Sequence, residues 1–84
     1  MFSYDFSFDT LTAAQTARAV LASYYIPVKL LRAPRSIAVR GCGYVLRTAG
    51  RDGARSADLL RQNGIYFSNS FRVLPDGTME EAGL

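Results

Sequence analysis

The segment Arg40-Gly41-Cys42-Gly43-Tyr44 contains the single cysteine of the chain, between two glycines and two residues after an arginine. A thiol reacts as its thiolate, and a nearby cation lowers the pKa of a cysteine from its usual value of ~8.5. The two glycines leave the sulfur without bulky neighbours and let the backbone bend closely around it. This combination predicts a reactive thiol at Cys42; a small buried apolar side chain is the alternative.

The rest of the composition restricts what such a thiol could do. The chain has no histidine to act as a general base and no second cysteine to form a disulfide. These absences argue against a cysteine protease, a dithiol oxidoreductase and a peroxidase. We therefore predict a carrier that accepts a group on Cys42 and passes it on, rather than an enzyme with turnover of its own. Because the chain has no histidine and one cysteine, we expect no metal site, and we also expect no cofactor.

The overall composition is that of one small globular protein. The 84 residues are 49% hydrophobic and 20% charged, and the net charge is +3. The middle of the chain is basic, because only Asp52 accompanies a set of seven cations: Lys29, Arg32, Arg35, Arg40, Arg47, Arg51 and Arg55. We expect a cytoplasmic protein, since a lone cysteine and the lack of a signal-peptide pattern suit a reducing compartment. No apolar stretch is long enough to predict a membrane span.

The spacing of apolar residues predicts a mixed α+β fold. Residues 2–9 alternate between aromatic and polar side chains, which indicates a strand with one buried face. A helix follows, for which Asp9, Thr10 and Thr12 offer N-cap side chains; Thr12 and Gln15 are spaced as a capping box, and Pro27 ends the helix. Strands at 28–33 and 43–49, a second helix that ends near Asn63 and a strand at 65–74 complete the pattern. The order predicts a ferredoxin-like βαββαβ two-layer sandwich, with two helices on one face of a four-stranded antiparallel sheet.

We assign the single domain to residues 1–74 and expect residues 75–84 to be an extended or frayed tail. In this topology the connection between strands two and three lies at the same end of the sheet as the start of the first helix. Cys42 should therefore lie near a helix N-terminus, which favours an anion. The candidate site comprises Cys42 as the nucleophile and seven binding residues: Thr10, Thr12, Arg35, Arg40, Gly41, Gly43 and Arg47.

At these residues the chain resembles the selenium/sulfur carrier-like family, small proteins formerly grouped as a domain of unknown function. The matching elements run from about Ser3 to Leu74, and they include Phe8, Thr10, Ile26-Pro27-Val28, Pro34-Arg35 and Cys42-Gly43. Where the family usually has an acidic residue in the first helix, this chain has Ala17 and Arg18. The resemblance implies that Cys42 carries sulfur or selenium between a desulfurase-type donor protein and an acceptor protein.

Three other interpretations follow from the same sequence. The arginines could belong to a regulatory or binding module for a small anion or an acidic partner, with Cys42 incidental. RNA binding is disfavoured, because the aromatic side chains of the first strand are needed to cover the helices and only Tyr44 is left for the central strand. Homodimerisation and docking on a larger enzyme both stay open, since a sheet of this kind exposes a face or an edge.

Overall fold

The computed structural model of the protein describes residues 1–35 and 43–84. Three predicted site residues, Arg40, Gly41 and Cys42, lie outside the described residues. The elements in chain order are β1 (Ser3–Phe8), α1 (Leu11–Ser23), β2 (Lys29–Arg32), β3 (Tyr44–Ala49), α2 (Gly53–Gln62), β4 (Asn69–Val73) and β5 (Met79–Glu81). A short 3-10 turn at Gly50–Asp52 leads directly into α2.

The described strands form one antiparallel sheet in the order β2-β3-β1-β4-β5. The chain is thus α+β with two helices and an antiparallel sheet, as predicted, but the prediction of four strands is wrong. The fifth strand, β5, pairs with β4 through a turn in which Gly77 has φ 89° and Leu74 N–H donates to Thr78 O at 2.8 Å. The sequence Met-Glu-Glu of β5 has no apolar alternation, so no local pattern marked it as a strand.

The aromatic side of β1 faces both helices, which confirms the predicted register. Phe6 and Phe8 are fully buried with Leu46 of β3 in one apolar core. Ile26, which follows α1, and six side chains of the helices complete the buried core; the helical residues are Ala14, Ala17, Leu21, Ala57, Leu59 and Leu60. Burial is lower toward the start of the strand: Phe2, the residue just before β1, is 42% exposed.

The polar side of β1 is buried as well, so the expectation of a strand with a single buried face is wrong. Asp5 and Ser7 lie opposite the helix face and are as inaccessible as the phenylalanines. Each has polar partners across the sheet. Asp5 binds Arg47 of β3, and Ser7 exchanges hydrogen bonds with the backbone of Asn69 in β4. Burial of these groups is tolerated because their hydrogen-bonding atoms are satisfied.

The first helix begins two residues earlier than a cap at Thr12 would place it. Thr10 is the N-cap, and its Oγ1 accepts a hydrogen bond from Ala13 N–H at 3.1 Å. The predicted capping box of Thr12 and Gln15 is therefore wrong, since the residue three positions after the cap is an alanine. The helix ends at Ser23, ahead of Pro27, as the sequence predicts.

Candidate functional site

The described ends of the β2–β3 connection lie beside the start of α1. Tyr44, the first residue of β3, is paired with Arg32 on one side and with Phe8 on the other. Just before it, Gly43 O accepts a hydrogen bond from Ala33 N–H at 3.0 Å. Gly43 directly follows Cys42 in the sequence. Phe8, Arg32, Gly43 and Tyr44 lie where β1, β2 and β3 end or begin, and we call this end of the sheet the loop end.

The start of α1 supplies the predicted threonines to the loop end. Phe8 is followed by Asp9 and by Thr10, the N-cap whose hydroxyl oxygen is already used by Ala13 N–H. Thr12 is exposed in the first turn, and its carbonyl oxygen accepts from Thr16 Oγ1 at 3.0 Å. The helix carries no acidic residue in its first turn, so its positive dipole end is not neutralised from within the helix. A negative group near Thr10 would be stabilised by that dipole.

Asp9 modifies the electrostatics of the loop end. Its Oδ1 accepts a hydrogen bond from Ser68 Oγ at 3.0 Å, which ties the β1–α1 junction to the residue before β4. The carboxylate of Asp9 places a negative charge close to Thr10. It therefore opposes the binding of a second anion there, and the cations of the loop end must outweigh it.

Two arginines supply positive charge to the loop end. Arg35 is exposed and makes no ion pair with another described residue. Arg32 donates from Nη1 to the Tyr44 hydroxyl at 3.3 Å, and its Cζ lies 5.4 Å from the centre of the Tyr44 ring. Arg32 is not among the residues that the sequence predicts for the site. Its place opposite Tyr44 follows from strand register, which the sequence pattern leaves open.

Arg47 is placed away from the loop end. It lies three residues along β3 from Tyr44, or ~10 Å at the usual rise of a strand. Its Nε and Nη2 donate to the two carboxylate oxygens of the fully buried Asp5, at 2.7 and 2.9 Å. The hydrogen bond and charge of Asp5 raise the pKa of Arg47 further, although partial burial opposes this. The role predicted for Arg47 in binding an anion beside Cys42 stays a prediction.

A surface depression of about 410 Å³ adjoins the start of α1. The depression is lined in part by Asp9 and Thr10, which also lie beside the loop end, and by Tyr66 and Ser68. Tyr66 is 77% exposed. The depression is open and the surface it exposes is mostly apolar, so a partner protein could contact it while reaching the loop end.

The described residues contain no group of three or more side chains suited to hold a metal ion. Among the helices in residues 1–35 and 43–84, none is long and apolar enough to cross a membrane.

Comparison with known proteins gives one result. Residues 3–72 match the sequence model of a family described as "Putative Se/S carrier protein-like". The match spans well over half of the chain and includes the loop end, both helices and strands β1 to β4 nearly to the end of β4. No curated protein and no solved structure matches the chain.

Proposed function

Because the chain belongs to the "Putative Se/S carrier protein-like" family, we propose that Cys42 accepts one sulfur or selenium atom from a donor protein and passes it to an acceptor protein. The family match over residues 3–72 is the observation that carries this proposal. The pairing of Tyr44 with Phe8, the last residue of β1 before the start of α1, supports it, since the chain re-enters the sheet there two residues after the cysteine.

The proposed transfer consists of two thiol exchanges. The thiolate of Cys42 attacks the terminal sulfur of a donor persulfide, and the inner sulfur of the donor leaves as a thiolate. Cys42 then holds the persulfide until an acceptor thiolate attacks its terminal sulfur, which releases Cys42 as a thiolate. Each step exchanges one sulfur–sulfur bond for another, so no external oxidant or reductant is needed. A selenium atom would be carried by the same two steps.

The surroundings would stabilise the negative charge that persists throughout this cycle. In the proposal, Arg35 and Arg40 bind the thiolate and the persulfide anion, together with the start of α1 at Thr10 and Thr12, and Arg47 adds positive charge from further along β3. We include Arg32 in this proposed set, because its guanidinium contacts the hydroxyl of Tyr44 at the loop end. Gly41 and Gly43 would leave room for the donor sulfur to approach.

We also propose that residues 1–74 form a ferredoxin-like domain to which the C-terminal segment adds β5. The order β2-β3-β1-β4 and the antiparallel pairing support this proposal. A reducing cytoplasm is the compartment in which a single thiol would stay available for transfer. A homodimer is a further possibility that size measurements in solution would test.

A second candidate is a binding module in which Cys42 plays no part. The exposure of Arg35, which has no ion-pair partner among the described residues, favours this alternative. Such a module would bind a small anion or an acidic partner through its arginines. The two functions are distinguished by Cys42→Ala, which abolishes carriage and leaves binding through arginines intact.

The carrier function is tested by intact mass after incubation with a cysteine desulfurase and cysteine. We expect a gain of one sulfur atom that a thiol reductant removes. Cys42→Ser is the matched control and should gain nothing, since its hydroxyl cannot form a persulfide. If several desulfurases and a selenide-generating donor all leave an alkylatable Cys42 unmodified, the binding module becomes the better explanation.

The proposed electrostatics are tested by the rate of Cys42 alkylation against pH. We expect the inflection below the ~8.5 of a free cysteine, because cations and the helix start favour the thiolate. Arg40→Ala and Arg35→Ala should each move the inflection upward, and Arg18→Ala, an exposed arginine further along α1, is the matched control. An inflection at the free-cysteine value, or one insensitive to Arg40 and Arg35, would contradict this account of the site.

A further inference from the structure

The two helices end in the same hydrogen-bonding motif but place different residues in its left-handed position. After α2, Gly64 has φ 71°, Gly64 N–H donates to Arg61 O, and Ile65 N–H donates to Leu60 O. After α1, the equivalent residue is Tyr25, with φ 62°, and the bonds run from Tyr25 N–H to Ala22 O and from Ile26 N–H to Leu21 O. A left-handed backbone suits glycine and is unfavourable for a side chain with a Cβ. Tyr25 is the sole non-glycine residue with positive φ in residues 1–35 and 43–84.

Among residues 1–35 and 43–84, the side chain of Tyr25 makes no contact that offsets this strain. It is 94% exposed and makes no hydrogen bond or ring contact with the other described residues. The residue after it, Ile26, is buried in the core, so the motif is needed to direct Ile26 inward. A glycine would do this at lower cost. The tyrosine ring is therefore expected to contact something outside the chain.

A cavity of about 440 Å³ begins two residues after Tyr25, at Pro27. Its lining is mostly apolar apart from two cations, and comprises Ser3, Pro27, Val28, Lys29, Arg47, Thr48 and Ala49. Lys29 of β2 lies directly opposite Arg47 of β3 in the sheet register. Like charges in this position repel each other. Lys29 has no ion pair with a described residue, so its charge is uncompensated there.

The orientation of Arg47 makes this cation pair suitable for binding an anion. Asp5, which is fully buried, holds Arg47 through Nε and Nη2. Nη1 has no hydrogen-bond partner among the described residues, and the side chain of Arg47 is 35% exposed. Because Asp5 compensates one of the two positive charges, a carboxylate placed between Nη1 and the Lys29 ammonium would balance the other and form charge-assisted hydrogen bonds. Next to the carboxylate, the apolar lining could receive an aliphatic side chain.

We propose that Tyr25, Lys29 and Arg47 form a docking surface for an extended acidic segment of a partner protein. Strand β2 is at the edge of the described sheet, so an extended segment can pair with it and present a carboxylate to Lys29. Tyrosine is the kind of residue that anchors protein interfaces. This docking surface lies at the start of β2, whereas the loop end lies where β2 finishes. A bound partner would leave the loop end accessible, and the proposal does not rest on the carrier function.

The test is fluorescence anisotropy with a labelled short peptide of alternating glutamate and valine, which serves as the probe. We expect saturable binding to the wild-type protein and no binding of the same peptide with glutamine in place of glutamate. Lys29→Gln should weaken binding about tenfold, because one of the two cations is lost. Tyr25→Gly should also weaken it about tenfold, while raising the Tm by ~4 °C through relief of strain.

The matched control is Tyr66→Ala, which removes an exposed tyrosine beside the start of α1 and should leave binding unchanged. Cys42→Ser should bind the peptide as the wild type does, which separates this test from that of carriage. The proposal is overturned if the peptide does not bind, if Tyr25→Gly binds normally, or if Tyr25→Gly lowers the Tm. It is also overturned if phosphatidylglycerol vesicles bind through Lys29 and Tyr25 more tightly than the peptide, because the partner would then be a lipid surface.

Discussion

The two faces of β1 are buried to the same extent by different interactions. On the helix side, Phe6 and Phe8 lose contact with water by packing against apolar side chains. On the other side, Asp5 and Ser7 are equally inaccessible, and their polar atoms are bound to Arg47 and to the backbone of Asn69. Apolar burial tolerates many neighbours of similar volume, whereas a buried carboxylate requires a particular donor in a particular place. The polar face therefore depends far more on correct strand register.

The two ion pairs of the described sheet show how strongly burial changes the importance of a charge. Asp5 is fully buried beneath Arg47, while Arg72 and Glu80 are both about half exposed and lie 3.1 Å apart. Water and salt screen the Arg72–Glu80 pair, so its loss should matter little. The loss of Arg47 would leave a buried carboxylate without its cation.

The largest effect is expected on the helix face. Phe6→Ala should lower the free energy of unfolding by ~3–5 kcal/mol, because it removes a fully buried ring and leaves a cavity in the core. Chemical denaturation measures this change. Phe2→Ala is the matched control. Phe2 lies on the same side one residue before β1, and its loss should cost less because Phe2 is partly exposed. Equal losses in the two variants would show that the helix face is not the apolar core described above.

The next effect is expected on the polar face. Arg47→Met should cost about 3 kcal/mol, the lower end of the range for breaking a buried pair, because Arg47 itself is partly exposed. The control Arg72→Met should cost less than about 1 kcal/mol. The double variant Asp5→Leu with Arg47→Met should recover most of the loss, since no buried charge remains unpaired. If Arg47→Met lowers the free energy of unfolding as little as Arg72→Met does, the Asp5–Arg47 pair does not have the importance assigned to it.

The pH dependence of this pair follows from the direction of the Arg47 shift. A group whose pKa is raised in the folded state contributes its full stabilisation below its unfolded pKa and loses it only as pH rises above that value. The pKa of Arg47 is already high when unfolded and is raised further by Asp5. Arg47 should therefore keep its proton across the neutral range, and the loss of unfolding free energy in Arg47→Met should stay constant there. A cost that disappears at mildly alkaline pH would rule out this interpretation.

The smallest of these effects is expected at Ser7. Its Oγ accepts from Asn69 N–H at 3.0 Å and donates to Asn69 O at 3.3 Å. Ser7→Ala should cost ~1 kcal/mol, as is usual for a lost hydrogen bond whose partner can still reach water. Ser3→Ala, on the same side of β1 with no side-chain hydrogen bond among the described residues, should change stability by less than ~0.5 kcal/mol. No difference between the two serine variants would mean that the Ser7 hydroxyl does not help to join β1 to β4.

Much of the fold could be predicted because its signals are local. The alternation in β1 identified the side that faces the helices, and Pro27 marked the end of α1. The predicted neighbourhood of the β2–β3 connection and the start of α1 is confirmed at Gly43 and Tyr44, since connectivity and handedness leave few alternatives. The cap of α1 stayed open in the sequence because Asp9, Thr10 and Thr12 all offer a suitable side chain, and the backbone conformation decided for Thr10.

The candidate site was predictable in part. A lone cysteine between glycines could be identified from the sequence, and its predicted place near the helix start stays a prediction, although Tyr44 two residues later pairs with Phe8 at the end of β1. Arg32 was missed because its proximity to Tyr44 depends on the pairing of β2 with β3. Arg47 was expected beside the cysteine, and this role stays a prediction. The structure shows its side chain bound to Asp5, which lies directly opposite on the neighbouring strand β1.

The sequence by itself determined the family, the α+β class, the helix-facing side of β1 and the end of α1, because each is encoded in motifs or in periodicity within a few residues. The tertiary structure alone decided that Asp5 pairs with Arg47, 42 residues away, and that the polar side of β1 is buried. It also decided that Met79–Glu81 forms a strand, since that segment gains its hydrogen bonds only from the edge of β4. These features depend on the lateral register of strands distant in sequence, and a register of that kind follows from the packing of the whole sheet.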